Sequence, residues 1–166
     1  MTKALSVLNQ MVDEGVLIKY VIGGSVAALF YTEPFFTDDC DVFIFFPENT
    51  GLSPLSDIYT YLIKKGYFIE GPFVVIEAIK VQFLPITTPL VQEAFNNSIT
   101  VDVFGVQTSI FTLEYLMAIC VETGRPRDRY KIGLFVEQTS FDKNKLEQIL
   151  ITHNLLSRWQ SWTKEA

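Results

Sequence analysis

YVIGGSVAALFYTEPFFTDDCDVFIFF, residues 20–46, is the stretch whose reading decides the fold. It opens on a short apolar run, 20–22, that stops at Gly23-Gly24-Ser25. A helical segment over 25–30 follows, and Glu33-Pro34 breaks it. Thr37-Asp38-Asp39-Cys40-Asp41 then leads into a second apolar run that ends at Phe46. The order is strand, glycine turn, short helix, loop, and a strand with acids at its mouth.

Each part of that order has a chemical use. Two adjacent glycines let the backbone turn tightly and let a ligand approach it. Ser25 falls at the helix start, where free N–H groups and a hydroxyl suit phosphate oxygens. Asp39 and Asp41 are two apart on a strand, so their carboxylates share a face while Cys40 points the other way. Two carboxylates facing a phosphate cradle can hold one or two divalent cations against a nucleoside triphosphate. Taken singly, each half has a plainer use: glycine turns precede many helices, and aspartates cap loops and strand entrances.

Gly-Gly-Ser followed by Asp-x-Asp on a strand resembles the nucleotidyltransferase superfamily, the polymerase-β-like fold. The wider chain resembles small nucleotidyltransferase-like proteins grouped near the AbiEii-type toxins. That second likeness lies in Val81-Gln82-Phe83-Leu84-Pro85, Leu113-Glu114-Tyr115-Leu116, Thr123-Gly124-Arg125-Pro126-Arg127-Asp128, and His153-Asn154-Leu155 with Trp159. The resemblance implies an α+β protein, a mixed β-sheet flanked by helices with a C-terminal helical tail. It implies an enzyme that binds a nucleoside triphosphate with Mg²⁺ (or Mn²⁺) and transfers a nucleotide to a hydroxyl on protein, RNA or a small molecule. Asp39 and Asp41 would be the catalytic metal ligands; Gly23, Gly24 and Ser25, with Arg125 and Arg127, would hold the triphosphate. A homo-oligomer or a cognate antitoxin-like partner is consistent with the likeness. The alternative role is a catalytically impaired nucleotide-binding or regulatory module, one half of a toxin–antitoxin-like pair.

The pattern departs from the superfamily in one place that matters. There, a third carboxylate on the strand beside Asp-x-Asp completes the site and helps to activate the acceptor; the matching position here, within 79–84, is Gln82. A neutral amide is no base and a poorer Mg²⁺ ligand. Glu77 falls at a turn with the opposite parity to Gln82, and Asp38 beside the site reads more simply as a loop or cap residue. Residues 124–131 pack Arg125, Arg127, Arg129 and Lys131 into an otherwise acidic chain. Arginine forks match phosphate oxygens, whereas the plainer reading is a solvated helix start with Asp128 paired to its neighbours on the surface. Related toxins carry an aspartate where Lys131 stands and a lysine near Cys120, a second departure.

The 166 residues fit a nucleotidyltransferase-like core over 1–111 with a helical subdomain over 112–166 packed on it. At 49% hydrophobic and 14% aromatic, the chain can build a sizeable core. A formal net charge of −6 argues against broad non-specific nucleic-acid binding. No apolar run reaches membrane-span length and no signal-peptide pattern opens the chain, so a soluble cytoplasmic protein is expected. Cys40 and Cys120 read as buried free thiols, and His153, the only histidine, as a helix-end or packing residue. Periodicity predicts helices over 2–14 (with Thr2 as cap), 55–65, 89–97, 113–122, 126–138, 142–153 and 155–162. Strands are predicted over 18–22, 41–46, 73–76, 79–84, 99–104 and 106–110, with a polar connector over 49–54.

Overall fold

The computed structural model describes residues 1–46 and 54–163. In chain order the elements are α1 (Thr2–Asp13), β1 (Tyr20–Ile22), α2 (Gly24–Ala28), β2 (Asp39–Ile44), α3 (Pro54–Lys64), β3 (Phe68–Glu70), β4 (Phe73–Ile76) and β5 (Ile79–Pro85). Then come α4 (Pro89–Asn96), β6 (Ile99–Val103), β7 (Val106–Ile110), α5 (Leu113–Thr123), α6 (Pro126–Gln138), α7 (Lys143–Thr152) and α8 (Leu156–Thr163). The strands form one mixed sheet in the order β3-β4-β5-β2-β1-β7-β6. The β2–β5 and β1–β7 pairs are parallel and the rest antiparallel.

Local chemistry explains most of these elements. The β4–β5 and β6–β7 hairpins each turn on two residues with positive φ, Glu77 and Ala78 (49° and 65°) and Phe104 and Gly105 (51° and 86°). Such turns match the right-handed twist of the strands they join. Asp102 supports the second one by accepting from the Gly105 N–H at 2.9 Å. Thr88 caps α4 by accepting from the Val91 N–H at 3.2 Å, with Pro89 in the first helical turn. Asp142 caps α7 by accepting from the Lys145 N–H at 3.0 Å. Helix α5 is apolar around almost its whole circumference and is correspondingly buried, packed against α2, α4, α6 and α7.

Four readings of the sequence change. β3 was not foreseen: Phe68, Ile69 and Glu70 are all exposed on a sheet edge, so no alternation marks them. The cap of α1 is Met1, and Thr2 lies inside the helix. Ile18 is exposed, and β1 starts only at Tyr20, where pairing with Ile44 begins. β2 starts at Asp39 rather than Asp41, because its parallel pairing with β5 continues back to Lys80. The connector expected over 49–54 falls, but for its last residue, outside the described residues, as does the strand stop at Pro47. Among the described residues no helix is long and apolar enough to cross a membrane.

Candidate active site

The glycine turn and the acid strand are in direct contact. β1 runs antiparallel to β2 with Ile22 opposite Val42, and the Gly23 N–H donates to the Asp41 carbonyl at 2.9 Å. A Cβ on Gly23 would lie 2.5 Å from the Phe43 ring, which itself packs on Phe111. Gly24 has φ +55°, and a Cβ there would lie 1.9 Å from Asp41 Oδ2. Only glycine at 24 therefore leaves room for the Asp41 carboxylate where it stands. Burial alternates strictly along β2, so Cys40, Val42 and Ile44 are closed off while Asp39, Asp41 and Phe43 face a cleft. Ser25 lines the same cleft. Helix α2 spans only five residues, Gly24–Ala28, rather than the expected 25–30, so its dipole is small.

Across the cleft stands the start of α6. Asp128 is almost fully buried and is gripped from both sides, by Arg125 Nε at 2.9 Å and Lys131 Nζ at 2.9 Å. Burial opposes its charge, but Lys131 and Arg125 outweigh that, and its carboxyl sits below the ordinary value. The plainer alternative for this segment, Asp128 paired to its neighbours on the surface, does not hold: i,i+3 spacing to both cations places it inward, under them. Arg125, Arg127 and Lys131 line the cleft. Asp41 feels all three. Burial and then Asp39 push its carboxyl above the ordinary value, while Lys131, Arg127 and Arg125 pull it back part of the way.

The cleft encloses about 310 Å³. Gln82 lies in it, directly opposite Asp41 in the parallel β2–β5 register. Glu77 is exposed at the β4–β5 turn and accepts from the Tyr67 hydroxyl at 3.2 Å, away from this cleft. Among the described residues no three His, Cys, Asp or Glu side chains gather as a metal cage. A second, more open cavity of about 420 Å³ adjoins the first, sharing Ser25, Asp39, Arg127 and Lys131 with it. Asp38, Phe36 and Tyr130 line that one, the latter two largely exposed.

One cleft residue, Glu122, has no signal in the sequence, and neither has Arg158, which lies outside the cleft and bonds the backbone at Glu122. Glu122, at the end of α5, lines the cavity and accepts from the Thr88 hydroxyl at 3.1 Å. Arg158 of α8 donates to the open carbonyls of Val121 and Glu122 at 2.9 and 3.0 Å. They join segments far apart in the chain. His153 caps α7 and meets Glu93 Oε2 at 2.8 Å, a packing role and not a cleft one. Cys40 and Cys120 are free and buried, and burial pushes both thiols up to about 12.

The sheet order, the acid-bearing strand beside a glycine turn and the helices closing over them make this the fold of a nucleotidyltransferase. Two solved structures share it. One is an antigenic nucleotidyltransferase-like protein from Paracoccidioides brasiliensis, with TM-score 0.61 and 13% identity over 98% of this chain and 90% of that one. The other is ANT(2″)-Ia in complex with adenylyl-2″-tobramycin, with TM-score 0.55 and 15% identity over 95% of each chain. No protein-family model matches the sequence, and no curated protein matches it.

Proposed function

We propose that the protein binds a nucleoside triphosphate with Mg²⁺ in the 310 Å³ cleft and acts as a nucleotidyltransferase on a hydroxyl acceptor. One observation carries the reading: a Cβ on Gly24 would sit 1.9 Å from Asp41 Oδ2, so the phosphate-side turn and the acid pair form a single site. The donor set fits the ion. Mg²⁺ is commonly held by one or two carboxylates together with substrate phosphates, and Asp39 and Asp41 supply two without a third. Bound there, Mg²⁺ would neutralise phosphate charge and stabilise the departing pyrophosphate.

The chain's own residues divide the remaining work. Ser25, Arg125, Arg127 and Lys131 bind and orient the triphosphate, with Asp128 fixing two of those cations in place. The acceptor enters through the adjoining cavity, which shares Asp39 and Arg127 with the cleft but not Asp41 or Gln82. Gln82 can hydrogen-bond an acceptor hydroxyl but cannot take its proton. That residue favours a second reading, a nucleotide-binding regulatory module with weak or absent turnover.

Thermal shift with each of ATP, GTP, CTP and UTP, with and without Mg²⁺, tests the binding. A shift that needs nucleotide and Mg²⁺ together, and is lost in Asp39→Asn and Asp41→Asn, is expected; no shift with any nucleotide refutes the proposal. Transfer of labelled nucleotide into cell extract separates the two readings. Gain of transfer in Gln82→Glu would place the wild-type protein in the second.

A further inference from the structure

The cleft has two unlike ends. Gln82 stands opposite Asp41 at one, and past the end of β5 Thr88 bonds Glu122 at the other. Between them its floor follows β5 from Gln82 to Pro85, roughly 10 Å at the rise of a strand. The walls there are apolar, with Phe43, Val91 and Ile119 among them. A nucleotide whose phosphates lie against the cations would lay its sugar and base along this floor and bring the base edge to Glu122.

Glu122 is held as an acceptor. The Thr88 hydroxyl accepts from the Val91 N–H at 3.2 Å as the cap of α4, so its single proton points to Glu122 Oε2 at 3.1 Å. The other carboxylate oxygen has no hydrogen bond among the described residues. We propose that Glu122 selects the base of the bound nucleotide and that the base is guanine. The proposal rests on the cleft taking a nucleoside triphosphate as described above.

The physical reason is donor count. Guanine carries two donors side by side on its Watson–Crick edge, N1–H and N2–H₂, and a carboxylate accepts from both. Adenine and cytosine each offer one amino group beside a ring-nitrogen lone pair, and uracil one N–H between two carbonyl oxygens. Those lone pairs would face the carboxylate without compensation. A polar site built for particular donors rejects analogues that lack them.

Isothermal titration calorimetry with Mg²⁺ and GTP, ATP, CTP or UTP, alongside inorganic tripolyphosphate, reads the selection directly. GTP is expected to bind roughly tenfold or more tightly than the other three, the scale of one good bidentate base contact. Glu122→Gln presents an amide donor to guanine's donors and should erase that preference while leaving tripolyphosphate affinity unchanged. Thr88→Ser, which keeps the hydroxyl, should retain it. Equal binding of all four nucleotides by the wild type, or a GTP preference that survives Glu122→Gln, overturns the selection by Glu122 and leaves the nucleotide-binding reading standing. Absence of binding by tripolyphosphate and every nucleotide overturns both.

Discussion

Replacing Gly24 by alanine is the sharpest test of how the site is built. The residue sits at φ +55°, a conformation that costs an L-residue about 1–2 kcal/mol. The new Cβ would also fall 1.9 Å from Asp41 Oδ2, where ordinary contact begins near 3.4 Å. The carboxylate is the far end of a side chain, so it yields by leaving its rotamer, at about 0.5–1.5 kcal/mol. The sum is a loss of roughly 1.5–3.5 kcal/mol, or about 3–14 °C in Tm for a chain of this size. Asp41→Ala removes Oδ2 and Cγ, and the closest remaining Asp41 atom would be its Cβ at 3.1 Å. Gly24→Ala should therefore cost about 0.5–1.5 kcal/mol less in the Asp41→Ala background, measured as the coupling in a double-mutant cycle from urea melts. Gly24→Ala alone should also abolish the Mg²⁺-dependent nucleotide shift, because the carboxylate has moved. Strict additivity of the two substitutions would refute the contact between turn and acid.

Two acids of the cleft, Asp41 and Asp128, should respond in opposite directions. Asp41→Asn relieves burial and the repulsion from Asp39, and should raise Tm by a few degrees while removing Mg²⁺-dependent binding, read by differential scanning fluorimetry. Asp128→Ala leaves Lys131 buried without its partner and should cost on the order of 3 kcal/mol in a denaturant melt. The same groups set the pH dependence. The folded Asp41 carboxyl lies above 3.8, so its charge weakens the fold as pH rises through that higher value. Nucleotide–Mg²⁺ binding needs the charged form, so calorimetry on acidification should show binding fading before an ordinary aspartate would titrate. The folded Asp128 carboxyl lies below 3.8, and its stabilisation is present at neutral pH and lost as pH falls through that lower value. Cys40 and Cys120, held near 12 by burial, should resist a thiol reagent at pH 8 and react together once the chain is unfolded.

Much of the fold could be read from the chain because local chemistry and tertiary demand agree. Thr88-Pro89, Asp142 and the positive-φ turns at Glu77-Ala78 and Phe104-Gly105 announce their own elements. β3 could not be read, since an exposed three-residue edge strand carries no alternation and owes its shape to β4. The meeting of Gly24 with Asp41 follows from spacing along one stretch, once β1 and β2 are taken as neighbours. The depth of Asp128 could not be read, because helix periodicity gives its i,i+3 partners but not how deep α6 lies. Glu122 and Arg158 were illegible for a deeper reason: each is joined to the cleft through residues 34 to 37 positions away.

Arg158 grips the last turn of α5 from the far end of the chain, and a Cβ at Gly124 would lie 3.2 Å from its Nη1. The final helix thus behaves as a latch on the rim that carries Glu122, while Asp39 and Asp41 belong to the sheet and do not depend on it. Loosening α8 would disturb Glu122 together with Arg125 just beyond it, and leave the two sheet aspartates in place. Limited proteolysis behind Leu155, followed by nucleotide titration, would register that as weakened nucleotide binding along with lost discrimination. One terminal helix in this way steadies both the Glu122 rim and the first cation beyond it.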